Sequence, residues 1–124
     1  GAVVVIEELC TGSRYYSKLV DETPADLAGM LDAITDKYLD INCACFTPNS
    51  ARIDDVIRLA REYKVDGIIQ YDLQFCGPYQ IEATLVTRAA QDAGIPVLRI
   101  DTDYSAGDVG QLSTRVEAFL EMIG

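Results

Sequence analysis

Four cysteines are the residues best able to do chemistry in this chain: Cys10, Cys43, Cys45 and Cys76. Cys76 carries the most weight. It lies in Asp72-Leu-Gln-Phe-Cys-Gly-Pro78, past an expected strand and before an expected helix. Amide N–H groups and the dipole at a helix N-terminus would favour a thiolate there. A thiolate is what an iron–sulfur cluster or a nucleophile needs. The competing reading is a small apolar residue buried under a loop, since cysteine is among the most buried residue types. A single cysteine cannot hold a cluster, so other ligands would have to come from elsewhere. Cys43 and Cys45 form Cys-Ala-Cys. In an extended segment both side chains face the same way, which could suit a metal pair, but the reading favoured here is two core thiols beside a short strand. Cys10 stays open between a site role and a structural one.

Charged residues supply the second set of candidates. Asp101 and Asp103, with Glu7 and Glu8, would gather carboxylates for acid–base work or a divalent ion. They could instead cap helices or accept from backbone amides. Arg14 and Arg115 could bind a phosphate or carboxylate through bidentate contacts. For Arg115 the alternative is an exposed helix charge or an ion pair. The sequence contains no histidine, which removes Ser-His-Asp and Cys-His mechanisms from this chain. Gly107 and Gly110 do not make a dinucleotide fingerprint and no P-loop is present.

These residues need elements to position them. Ala2 to Ile6 is a β-branched run without alternation, the pattern of a strand buried on both faces. A helix is predicted from Thr23 as N-cap and Pro24 at its first position, with Leu27, Met30, Leu31, Ile34 and Tyr38 on one face. Asp40 to Asn49 reads as a loop, with a short strand allowed near Cys43 to Phe46. Ser50 caps a second helix bearing Ile53, Val56, Ile57 and Ala60. Val65 to Ile69 turns into a second buried strand. A third helix spans Tyr79 to Ala93 and stops at Gly94. Val97 to Ile100 is a third strand, and Gln111 to Ile123 a last helix.

The order β-α-α-β-α-β-α implies parallel strands with helical crossovers. The expectation is one α/β domain over residues 1–124: a small, doubly wound, Rossmann- or flavodoxin-like sheet of three or four mostly parallel strands. Ligands of such sheets sit beyond the carboxyl ends of the strands. That rim would collect Cys10, Arg14, Cys76, Asp101, Asp103, Tyr104 and Arg115.

Composition narrows the partners. The 124 residues carry 20 acidic and 10 basic side chains, a net charge of −10, and 49% are hydrophobic. That balance argues for a packed core and a cytoplasmic location with reduced thiols. It argues against nucleic acid or an anionic membrane surface as partner. No apolar run approaches the ~20 residues of a membrane span.

Three stretches resemble a known family. Val65-Asp-Gly-Ile-Ile-Gln-Tyr-Asp-Leu-Gln-Phe-Cys-Gly-Pro-Tyr79 is similar to the Val-Asp-Gly-Val-Ile … Phe-Cys-Asp-Pro segment of 2-hydroxyacyl-CoA dehydratases and benzoyl-CoA reductases. Gly94 to Tyr104 resembles their Gly-Ile-Pro … Asp-Tyr strand and loop, and Gly110 to Phe119 their Gln-Leu … Thr-Arg-x-Glu-Ala-Phe helix. The resemblance implies the C-terminal domain of a larger subunit, inactive when isolated. It implies a missing N-terminal domain, a homologous partner subunit and an ATP-dependent activator protein. Cys76 matches one ligand of a [4Fe-4S] cluster, the other ligands lying outside this chain. Gly77 departs from the acidic residue that follows this cysteine in many relatives. The implied reaction is radical dehydration of a 2-hydroxyacyl-CoA thioester to an enoyl-CoA, or ring reduction of benzoyl-CoA. The alternative is a non-catalytic flavodoxin-like or receiver-like domain that binds a ligand or a partner. The enzyme reading expects an apolar face left open for the missing domain.

Overall fold

The computed structural model describes residues 1–46 and 48–124; position 47, in the expected Asp40–Asn49 loop, lies outside them. Four α-helices and a two-stranded parallel sheet make an α/β unit. Helix α1 is Leu27–Leu39 and α2 is Ser50–Glu62. Strand β1 is Ile68–Leu73, α3 is Gly77–Asp92, β2 is Val97–Thr102 and α4 is Val109–Ile123.

The strands pair in register from Ile68 opposite Val97 to Leu73 opposite Thr102. A parallel pair needs a long crossover, and α3 supplies it. Glu82, Ala83, Val86 and Ala90 fall on the buried side of α3. They form the core with Ala60 of α2, Ile100 of β2 and Phe119 of α4. Gly94, at φ +75°, ends α3 as expected, with Ile95 N–H returning to the Ala90 carbonyl at 2.8 Å.

The structure departs from several expectations. The described residues give two paired strands, and the expected sheet of three or four is not confirmed among them. Ala2 to Ile6 forms no strand, and Val3 and Val4 are 82% and 74% exposed. β-propensity records fit to a half-buried pleated surface, and this segment has no such surface against it here. Cys43 to Phe46 is a turn rather than a strand, closed by Phe46 N–H to the Cys43 carbonyl at 3.0 Å.

The helix starts also differ. Asp26, not Thr23, caps α1 and accepts from Gly29 N–H at 2.8 Å. Thr23 is already engaged: its N–H and hydroxyl both donate to the Asp21 carboxylate at 3.0 Å. This draws Asp21 below its ordinary pKa, chiefly through the Thr23 amide. Asn49, one residue before the expected Ser50, caps α2 by accepting from Arg52 N–H at 3.2 Å.

Helix α1 forms where its periodicity predicts, but it buries none of its residues. Leu27, Met30, Leu31, Ile34 and Tyr38 all remain exposed.

Candidate functional site

Cys76 is the N-cap of α3. A tight turn delivers it there: its N–H donates to the Leu73 carbonyl at 3.0 Å, with Phe75 in the left-handed region at φ +68°. Non-glycine residues adopt that conformation only with local support. The Phe75 side chain gains no burial in return, since it is 95% exposed. The turn sends the chain from the end of β1 straight into a helix. The Cys76 side is partly open to solvent rather than walled in.

One turn along α3, Tyr79 anchors a polar cluster. The Arg14 guanidinium donates to Tyr79 Oη at 2.8 Å and from Nε to Glu8 Oε1 at 3.0 Å. Cys10 Sγ lies 3.9 Å from the same phenol oxygen. Glu8 is shared, because its second oxygen accepts from Arg52 Nη2 at 3.0 Å. Arg52 Nη1 reaches Glu82 at 2.6 Å, and its guanidinium carbon stands 4.6 Å from the Tyr79 ring centroid. Arg52 Nε has no hydrogen-bond partner among the described residues.

The electrostatics follow from these contacts. Burial works against the Arg14 charge, but hydrogen bonds to Tyr79 and Glu8 outweigh it and lift its pKa above the ordinary arginine value. Burial pushes the Tyr79 phenol up, against the pull of Arg14. Tyr79 therefore remains a neutral phenol around neutral pH. Cys43 is drawn below the ordinary thiol value, first by the Cys45 amide and opposed by burial. The Cys45 thiol and Arg14 assist further. Cys45 is pushed up, first by its contact with the Cys43 thiol.

The expected rim is thus only partly assembled. Cys10 and Arg14 meet at Tyr79, in the first turn of the helix that Cys76 caps. The other candidates lie apart from that cluster. Arg115 donates to the Arg99 carbonyl and borders a separate cavity of about 230 Å³ with Asp72, Arg99 and Asp101. Asp101 accepts from Gln80 at 3.4 Å. Asp103 closes its own loop by accepting from Ser105 N–H at 2.8 Å. Tyr104, at φ +67°, is exposed, with its ring 6.4 Å from that of Tyr71. A larger concavity of about 730 Å³ runs beside α1 and contains none of the candidates.

Sequence reasoning missed Arg52, Tyr79 and Glu82. The signal was present for two of them. Arg52 shares the inward face of α2 with Val56 and Ala60, and Glu82 that of α3 with Val86 and Ala90. A charge at a core-facing helical position must find a buried partner, and these two find each other.

Among the described residues no three His, Cys, Asp or Glu side chains converge to hold a metal ion. Nor, among the described residues, is any helix long and apolar enough to cross a membrane.

Known proteins supply the context for this arrangement. "Putative dehydratase subunit YjiM" of Escherichia coli (strain K12) is 44% identical over 124 residues, 99% of this chain and 31% of its own length. The (R)-phenyllactyl-CoA dehydratase beta subunit of Clostridium sporogenes is 26% identical over 97% of this chain and 31% of its own length. The beta subunit of (R)-2-hydroxyglutaryl-CoA dehydratase from Acidaminococcus fermentans is 32% identical over 60% of this chain and 20% of its own length. The chain spans about a third, or less, of the curated relatives it matches. Residues 1–123 match the family described as 2-hydroxyglutaryl-CoA dehydratase, D-component, and the chain belongs to that family.

Proposed function

We propose that this chain is one domain of an iron–sulfur subunit that dehydrates a 2-hydroxyacyl-CoA thioester, with Cys76 as one ligand of a [4Fe-4S] cluster. The observation that carries this reading is Cys76 itself: an N-cap cysteine just past the end of β1, with an open side. Its donor chemistry fits the cluster as a single thiolate ligand. In this reading the remaining ligands come from outside this chain, since no three-ligand group is found among the described residues.

When bound, the cluster would supply one-electron reduction. The chain's own side chains would do the positioning. Tyr79 lies three residues beyond Cys76, in the first turn of α3. Its phenol stays protonated and is fixed by Arg14, so it can offer a hydrogen bond without adding charge. Glu8 and Glu82 neutralise Arg14 and Arg52, which keeps the neighbourhood of the thiolate close to electroneutral. The exposed face of α1 supports a larger subunit, because apolar stripes of this kind are covered in stable proteins. In that subunit the free edge of β1 and the unpaired Ala2–Ile6 segment would extend the sheet to the three or four strands expected from the sequence. The same reading includes an N-terminal domain, a homologous partner subunit and an ATP-dependent activator, in a cytoplasmic enzyme. It also expects the isolated chain to be inactive. Ring reduction of benzoyl-CoA is the related reaction the family resemblance allows.

The test is anaerobic reconstitution of the full-length subunit with iron and sulfide, comparing wild type with Cys76→Ala. A fall in bound iron and in cluster absorbance, with an unchanged far-UV circular dichroism spectrum, is expected. Equal iron in both proteins removes Cys76 from the ligand set.

A further inference from the structure

We propose that Cys43 and Cys45 are a modification site: a dithiol that a hydroperoxide converts to a disulfide within one turn. The proposal does not depend on the cluster, and neither cysteine is a ligand in the reading above.

Backbone geometry is the first support. A fully extended chain holds residues two apart at about 7 Å between Cα atoms, just beyond the ~4.4–6.8 Å usual for disulfides. A strand would therefore have kept the pair open. The observed turn, closed by Phe46 N–H on the Cys43 carbonyl at 3.0 Å, shortens that separation. Asn49 Nδ2 donates to the same carbonyl at 2.7 Å and ties the turn to the start of α2. Both thiols are free.

Division of labour is the second support. Cys43 is half-buried, and the Cys45 amide first, assisted by the Arg14 charge, favours its thiolate. Cys45 is exposed and holds its proton more tightly. An attacking thiolate beside an accessible resolving thiol is the arrangement that redox-sensitive cysteines share.

The chemistry balances with hydrogen peroxide as oxidant. The Cys43 thiolate attacks one peroxide oxygen; the S–O bond forms, the O–O bond breaks, and hydroxide leaves and is protonated to water. Sulfur is oxidised by two electrons and the peroxide is reduced. The Cys45 thiol then attacks the sulfenic sulfur; the S–S bond forms and the S–O bond breaks. The hydroxyl departs with the Cys45 proton as a second water.

The experiment treats the full-length protein with graded hydrogen peroxide, blocks free thiols by alkylation and maps the peptides by mass spectrometry. The peptide carrying Cys43 and Cys45 should lose two hydrogens, escape alkylation and recover both labels after reduction. In Cys45→Ser, Cys43 should be trapped by dimedone as a sulfenic acid. In Arg14→Gln, Cys43 alkylation near neutral pH should slow severalfold. The proposal is overturned if both thiols stay fully alkylatable at doses that oxidise Cys10 or Cys76. It is equally overturned if Cys43 pairs with any cysteine other than Cys45.

Discussion

Arg52 donates to Glu82 across 2.6 Å between α2 and α3, with 3% and 10% of their side chains exposed. The pair links the two helices, and it reaches the site through Glu8. Two charges withdrawn from water are stable only as a set. Removing one leaves the other buried and unpaired, which costs about 3–5 kcal/mol. Arg52→Met should destabilise the protein by that amount in denaturant unfolding. The double variant Arg52→Met with Glu82→Leu should recover much of it, because a matched apolar replacement leaves no orphaned charge. A double variant no better than the single would show that the pair contributes through packing rather than charge.

Gly67 sits under the end of α4. A methyl group there would lie 2.7 Å from Phe119 Cζ and 3.2 Å from Ile123 Cδ1. Phe119 is buried and cannot yield without moving the helix. Gly67→Ala should cost about 1–3 kcal/mol by overpacking. Thermal unfolding checks this, and Phe119→Leu added to Gly67→Ala should restore part of the loss.

Helix positions were legible in the sequence because each helix repeats its apolar residues at a local period, and that period needs no partner to be read. Gly94 marked the end of α3 for the same local reason. The sheet was less legible. Ile68 to Leu73 and Val97 to Thr102 are strands because each supplies the other's backbone partners. Ala2 to Ile6 has equal β-propensity but no such partner among the described residues. The site divided in the same way. Cys76, Cys10 and Arg14 were visible as reactive types at expected strand ends, whereas Tyr79 joins them through contacts with residues 65 and 69 positions away in sequence. Asp101 and Asp103 shared a loop with the expected rim but spend their carboxylates on Gln80 and on a local turn.

Asn49 makes two separable contacts: its oxygen caps α2 and its amide holds the Cys43 carbonyl. Asn49→Ala should lose both and cost about 1 kcal/mol or more. Asn49→Asp keeps the capping acceptor and loses only the donor. Stability should therefore be nearly retained in Asn49→Asp while the reactivity of Cys43 toward iodoacetamide changes. Equal stability loss in the two variants would show that the clamp on Cys43, not the cap, is what Asn49 contributes.

Tyr79 gives the chain an alkaline limit with a defined sign. Its phenol is half-buried and its pKa lies above the ordinary tyrosine value of 10.0, mainly because burial disfavours the phenolate. The folded state then holds the Tyr79 proton more tightly than the unfolded state does. By linkage, this group's contribution is fully present below about pH 10 and is lost as pH rises through the folded-state pKa. Tyr79→Phe removes the titration, keeps the ring beside Arg52 and deletes the acceptor used by Arg14. At neutral pH the variant should be less stable by about 1–2 kcal/mol, the cost of leaving Arg14 short of a partner. Above pH 10 the gap between wild type and variant should narrow. Parallel stability curves across that range would mean that the phenol is not titrating in a buried setting, and coincident curves that Arg14 is satisfied by Glu8 alone.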